Sequence, residues 1–236
     1  MARGHRFRTQ TDSEVVLHIY EEYGNSCLKH LRGMFAFLIW DEGKSRLFGA
    51  RDRFGIKPLY YAEHNGDLIL ASEAKSILEY PGFARRVNED SLQHYFTFQF
   101  IPDPDTLFAG IRRLPPAHGF TYEGGKLDIF PYWELEFRPE SKPLNHFVEG
   151  TRHLLTEAVR MHMMSEVPRG AFLSSGVDSS VIAALLRKMD SLKTFSVGYA
   201  EDRYDELNDA AETARLLGTE RSEERRGGKE CRSRWS

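Results

Sequence analysis

A chain of 236 residues is long enough for one or two domains with real cores, and 41% hydrophobic with 28% charged content is ordinary for a globular protein. A formal net charge of −3 argues against nucleic-acid and membrane partners, and no apolar run reaches the length of a membrane span. The two cysteines, Cys27 and Cys231, form no disulfide framework, and residues 1–8 lack the apolar segment of a signal peptide, which together suit a reducing cytoplasm.

Residues 9–14 open a helix, with Thr11 and Glu14 at capping-box spacing. Val15, Val16, Ile19, Tyr20 and Tyr23 recur at helical intervals and are expected to face a core, and Gly24 ends the helix. A short second helix is expected over 27–31. Residues 34–40 are apolar, aromatic and too few for a helix, so they read as a buried strand. A turn at 41–45 returns the chain into a partner strand at 46–51. Residues 58–62 and 68–72 form a second hairpin, turned by Asn65-Gly66. A helix at 73–78 stops before Pro81, and another follows Asn88, carrying Leu92, Tyr95 and Phe96. Beyond a Pro-bearing loop at 101–105, strands at 119–122 and 127–132 are joined by residues 123–126. This first half, 1–136, reads as α+β with mostly antiparallel strands.

Residues 137–144 are polar and Pro-bearing and read as a linker. A helix is expected over 145–163, with Phe147, Val148, Thr151, Leu154, Leu155, Ala158, Val159 and His162 as its buried stripe. A strand entering at Gly170 leads through a Ser-Gly turn into a helix with the run 181–186. A strand at 192–199 and a helix at 205–217, closed by Gly218, complete an α/β pattern with a parallel sheet over 145–220. Residues 221–236 show no apolar periodicity and resemble a translated sequencing adapter, so they are set aside from the fold. A basic nucleic-acid tail is the competing reading, against which the mixture of acids and bases counts.

The stretch Ser174, Ser175, Gly176, Val177, Asp178, Ser179 and Ser180 lies at the strand–turn–helix junction. Backbone N–H groups there lack intrahelical partners, and the helix dipole adds partial positive charge, so the loop can nest an anion such as a phosphate chain. The serine hydroxyls can add donors, and Asp178 can hold Mg²⁺ bridging to phosphate oxygens. No lysine follows the glycine, which excludes the GxxxxGK[ST] loop. A simple Ser-Gly turn capped by an aspartate is the bland reading. In the first half, Arg51, Asp52 and Arg53 read as an ion network that fixes a loop, Asp12 as a first-turn carboxylate and Cys27 as a small core residue.

Residues 173–180 resemble the SGGxDS pyrophosphate loop of the ATP-pyrophosphatase families, in the version found in glutamine-dependent asparagine synthetases. Ser175 stands where that family usually has glycine; if the position needs φ > 0, serine costs about 1 kcal/mol. Gly33-Met34-Phe35-Ala36-Phe37, Ala50-Arg51-Asp52-Arg53 through Lys57-Pro58-Leu59-Tyr60-Tyr61, Ala71-Ser72-Glu73-Ala74-Lys75 and Leu114-Pro115-Pro116 resemble the class II glutamine amidotransferase domain of the same family. The resemblance covers roughly residues 1–220. It implies an incomplete Ntn-hydrolase-like domain followed by the start of an adenine-nucleotide α-hydrolase-like one, in a fragment truncated at both ends. It also implies that Asp12 binds the α-amino group of glutamine. Leu173, Ser174, Ser175, Gly176, Val177, Asp178, Ser179, Ser180 and Val197 would bind ATP and pyrophosphate, with Mg²⁺ at Asp178.

Such domains use an amino-terminal cysteine as nucleophile. This chain begins Met1-Ala2, so no catalytic residue is assigned and no glutamine hydrolysis is expected of it. The implied activity of the intact protein is ATP-dependent amidation of aspartate, with glutamine, aspartate and ATP as small-molecule substrates. A homodimer is compatible with this. Two rivals stay open: a related synthetase that amidates another carboxylate in polysaccharide, peptide or β-lactam biosynthesis, and a non-catalytic nucleotide-binding fragment.

Overall fold

Short apolar segments separated by glycine turns set out the first part of the chain. In a computed structural model, which describes residues 4–164, 167–199 and 207–226, the chain divides into two units, Met1–Phe137 and Arg138–Ser236. The first contains helix α1 (Asp12–Tyr23), strands β1 (Ala36–Asp41), β2 (Arg46–Arg51), β3 (Tyr60–His64) and β4 (Asp67–Ala71), helices α2 (Ala74–Leu78) and α3 (Glu89–Phe98), and strands β5 (Arg112–Arg113), β6 (His118–Glu123) and β7 (Lys126–Pro131). They form two antiparallel sheets of order β1-β2-β6-β7 and β4-β3-β5. Asn65 (φ 52°) and Gly66 (φ 89°) both take left-handed backbone, which matches the right-handed twist of the β3–β4 hairpin. Tyr20, Cys27, Leu28, Phe48 and Ala50 form one buried cluster. Gly49 lets the sheet close: a Cβ there would lie 2.4 Å from the Phe120 ring.

Several expectations are corrected here. Thr11 is the N-cap of α1 but makes no side-chain cap bond. Glu14 instead reaches back past it, accepting from the Arg8 and Thr9 N–H groups at 2.7 Å each. Val15 and Tyr23 are exposed, so only part of the expected stripe faces the core. The second helix is a 3₁₀ segment, Gly24–His30. Strand β1 is not buried throughout, because its alternation turns Leu38 and Trp40 outward.

The second unit contains α4 (Leu144–His162), β8 (Gly170–Phe172), α5 (Val177–Met189), β9 (Lys193–Tyr199), α6 (Leu207–Leu217) and β10 (Glu220–Arg226). Its strands are parallel in the order β10-β9-β8. Leu173, Ala183, Leu192, Ala210 and Ala214 form the core between sheet and helices. The buried stripe expected on α4 is corrected: among its apolar residues only Val159 is buried, and Leu154 is 60% exposed. Leu144, Phe147, Val148 and Leu155 of α4 and Val181 and Leu185 of α5 line an open apolar groove instead.

The chain also keeps its fold past Glu220, where the sequence reading stopped. Residues 220–226 pair in register with 193–199. Main-chain hydrogen bonding to an open strand edge needs no apolar alternation, so the missing periodicity carried no signal. Residues 227–236, including Cys231, lie outside the described residues.

Candidate functional site

The loop between β8 and α5 runs from buried Leu173 to exposed Asp178. Gly176 is the N-cap of α5 and has no side chain to cap with, so the first-turn N–H groups of Val177, Asp178 and Ser179 receive no side-chain cap. The hydroxyls of Ser174, Ser179 and Ser180 are engaged within the loop. Ser174 Oγ and Ser179 Oγ lie 2.9 Å apart, the Gly176 N–H donates to Ser174 Oγ at 3.2 Å, and the Ser180 hydroxyl donates to the Gly176 carbonyl at 2.8 Å. Serines near a helix start bond back to local backbone, and here that stiffens the loop. Ser175 is not among the residues with positive φ, so the substitution of the expected glycine carries no left-handed strain. Asp178 is exposed in the first turn of α5, with no partner among the described residues.

Leu173, Ser174, Ser179 and Val197 line one cleft of about 240 Å³, together with Phe172, Phe195 and Ser196. That is smaller than the roughly 300–1,000 Å³ of a whole small-ligand pocket, so it has room for part of a nucleotide. Ser175, Gly176, Val177, Asp178 and Ser180 are not in its lining. Sequence reasoning missed Phe172, Phe195 and Ser196. Ser196 is 4% exposed and its hydroxyl donates to the Leu173 carbonyl at 2.8 Å, tying β9 to the loop. The signal was a polar residue at an inward position, two along from Thr194, which is fully buried.

In the first unit, Asp12 is exposed in the first turn of α1, where the Ser13 hydroxyl lies 3.4 Å from its carboxylate. The charged stretch after β2 is structural. Asp52 is 1% exposed and accepts from the N–H groups of Phe35, Phe54, Ile56 and Lys57 at 2.9–3.3 Å. Arg51 donates to the carbonyls of Gly55, Lys57 and Leu114 and pairs with Asp103 at 3.0 Å. Gly55 has φ 64°, and a Cβ on it would lie 2.8 Å from the Arg51 guanidinium. Cys27 is fully buried, and burial pushes its thiol up to about 11, so it supplies no thiolate.

Residues 1–133 match the glutamine amidotransferase domain family, more than half of the 236 residues. The chain belongs to that family. Residues 150–233 match the asparagine synthase family. The chain is 41% identical over 93% of its length to asparagine synthetase [glutamine-hydrolyzing] 1 of Bacillus subtilis (strain 168), and covers 35% of that protein. It is 38% identical over 84% of its length to a putative asparagine synthetase [glutamine-hydrolyzing] 2 of Methanocaldococcus jannaschii, covering 40%. It is 33% identical over 91% of its length to amidase chry2 of Gibberella zeae, covering 35%. The chain therefore spans little more than a third of the length of the curated relatives it matches. The amidotransferase family match spans both antiparallel sheets, and the asparagine synthase match spans the parallel sheet and the loop at the head of α5. No helix among the described residues is long and apolar enough to cross a membrane.

Proposed function

We propose that the protein of which this chain forms a part amidates aspartate with nitrogen taken from glutamine, in the cytoplasm. Glutamine would give ammonia at the amidotransferase unit, where Asp12 offers a carboxylate to its α-amino group. At the second unit ATP and aspartate would form β-aspartyl-AMP and pyrophosphate, and ammonia would then displace AMP. The observation that carries this reading is the uncapped head of α5 at the carboxyl end of a parallel strand, in a segment that matches asparagine synthase and follows an amidotransferase domain. Those N–H groups suit a pyrophosphate leaving group, whose charge they would stabilise as it develops. Leu173 and Val197 offer apolar contact to the nucleotide, and Ser196 holds Leu173 in place.

Mg²⁺ fits the residues present: Asp178, an exposed carboxylate without a partner among the described residues, stands in the first turn of α5 beside the anion nest. When bound there, the ion would neutralise phosphate charge. Ser174, Gly176, Ser179 and Ser180 keep the loop in shape beside it through their mutual hydrogen bonds. Cys27 is excluded as the glutamine nucleophile by its burial.

The test is pyrophosphate release by the full-length protein. We expect release only with ATP, aspartate and an ammonia source together, and a loss on the order of 100-fold in Asp178→Asn. Equal release with another acid would overturn aspartate as the acceptor. Undiminished Mg²⁺-dependent release in Asp178→Asn would overturn the role of that carboxylate. The similarity to a protein named as an amidase rather than an asparagine synthetase leaves room for a second reading, a related enzyme that amidates a different carboxylate, which the same panel of acids separates.

A further inference from the structure

The first unit also carries a group of imidazoles and carboxylates for which the proposed reaction has no use. His5, ahead of α1, and His18, on α1, bring their rings to 4.6 Å between centroids. Glu21 Oε2 lies between them, 2.7 Å from His18 Nδ1 and 3.4 Å from His5 Nδ1. Each remaining ring nitrogen faces a further carboxylate: His5 Nε2 is 2.8 Å from Glu22 Oε1, and His18 Nε2 is 3.6 Å from Glu14 Oε1. His18 Nε2 is buried and has no hydrogen-bond partner among the described residues, and Phe7 packs edge-on against that ring at 4.8 Å.

A neutral imidazole has one N–H and one bare lone pair. With carboxylates on both sides of each ring, either neutral tautomer points a lone pair at a negative oxygen. Protonating both rings removes that conflict but sets two imidazolium ions against each other, 4.6 Å between centroids. A cation on the Nδ1 side removes it differently. Both Nδ1 lone pairs and Glu21 Oε2 become ligands, and both Nε2–H groups turn to Glu22 and Glu14, the carboxylate–histidine–metal pattern of metal sites.

We propose that His5, His18 and Glu21 bind one divalent transition-metal ion of the Zn²⁺ type, with Glu22 and Glu14 orienting the two rings. One ligand atom from each of the three residues already lies within 4.8 Å of the other two. Zn–N bonds of about 2.0–2.1 Å put tetrahedral ligands roughly 3.3 Å apart, so the His5–Glu21 spacing fits and the His18–Glu21 spacing must open by about 0.6 Å. The half-exposed side of Glu21 leaves a fourth position for water. Bound there, the ion would clamp the segment before α1 onto the helix whose first residue is Asp12.

The chain, stripped with a chelator and dialysed, is titrated with Co²⁺ and then Zn²⁺. One Co²⁺ per chain with the visible bands of a four-coordinate ion, displaced by Zn²⁺, is the expected result. His18→Gln and Glu21→Gln should each weaken binding at least about tenfold, while His30→Gln, outside the cluster, leaves it unchanged. No visible band, or binding that ignores both substitutions, means an adventitious ion only and overturns the proposal. Should the variants misfold, zinc X-ray absorption on the unaltered chain decides: two imidazole ligands support the site, and fewer than two overturn it.

Discussion

Asp52 shows how a single carboxylate can organise a loop without reacting. Its two oxygens take N–H groups from four residues, and because the carboxylate is only 1% exposed its removal would leave all four amides without their acceptor. Asp52→Ala should therefore cost at least about 3 kcal/mol. Asp52→Asn should do little better, because its NH₂ group would confront two N–H donors; urea midpoints for both variants provide the check. Glu14 belongs to the same scale. The Thr9 hydroxyl, then the Arg8 amide, hold its carboxyl down from 4.5 to about 2. A depressed carboxylate contributes stability that is complete above 4.5 and fades as pH falls toward 2. Denaturation midpoints should fall across that window, and fall less in Glu14→Gln. The sequence disclosed that Asp52 and Arg51 would be structural, since dense opposite charge between two strands has few other uses. It did not disclose Glu14's true partners, because a capping box and a longer reach back to Thr9 share the same residue types.

Among the elements, those punctuated by strong local chemistry were legible. Asn65-Gly66 sits where the hairpin turns, Asn88 caps α3 by accepting from the Ser91 N–H, and Gly218 follows α6 in left-handed backbone. Two-residue β5 was not legible, since it exists only by pairing with β3. Strand β10 was hidden for the same reason: its partner makes it a strand. At the C-terminus of α3, Gln99 sits at φ 61°, exposed, where glycine is the usual residue. Relief of about 1 kcal/mol of left-handed strain outweighs the roughly 0.5 kcal/mol lost through a freer unfolded chain. Gln99→Gly should raise the melting temperature by about 1–2 °C in calorimetry, and a drop would show that the side chain contributes more than its strain costs.

On the scale of the whole molecule, the order of α+β and then α/β was readable from periodicity and turn residues together. Whether an apolar stripe is covered was not readable, because a helix records which face is apolar and not what lies against it. The uncovered groove of α4 and α5 should make the chain self-associate as its concentration rises. Sedimentation should show this, and Phe147→Lys should suppress it; a single species at all concentrations in the unaltered chain would count against it. The three parallel strands carry a different consequence. Strand β9 is hydrogen-bonded on both sides, β8 covers only three of its residues, and β10 lies at the rim. In deuterated water the amides of 193–195 should therefore be the last of the second unit to take up label, and those on the outer rims the first. Such a gradient would mean that this unit loosens from its margins inward, keeping the strand beneath the cleft ordered longest.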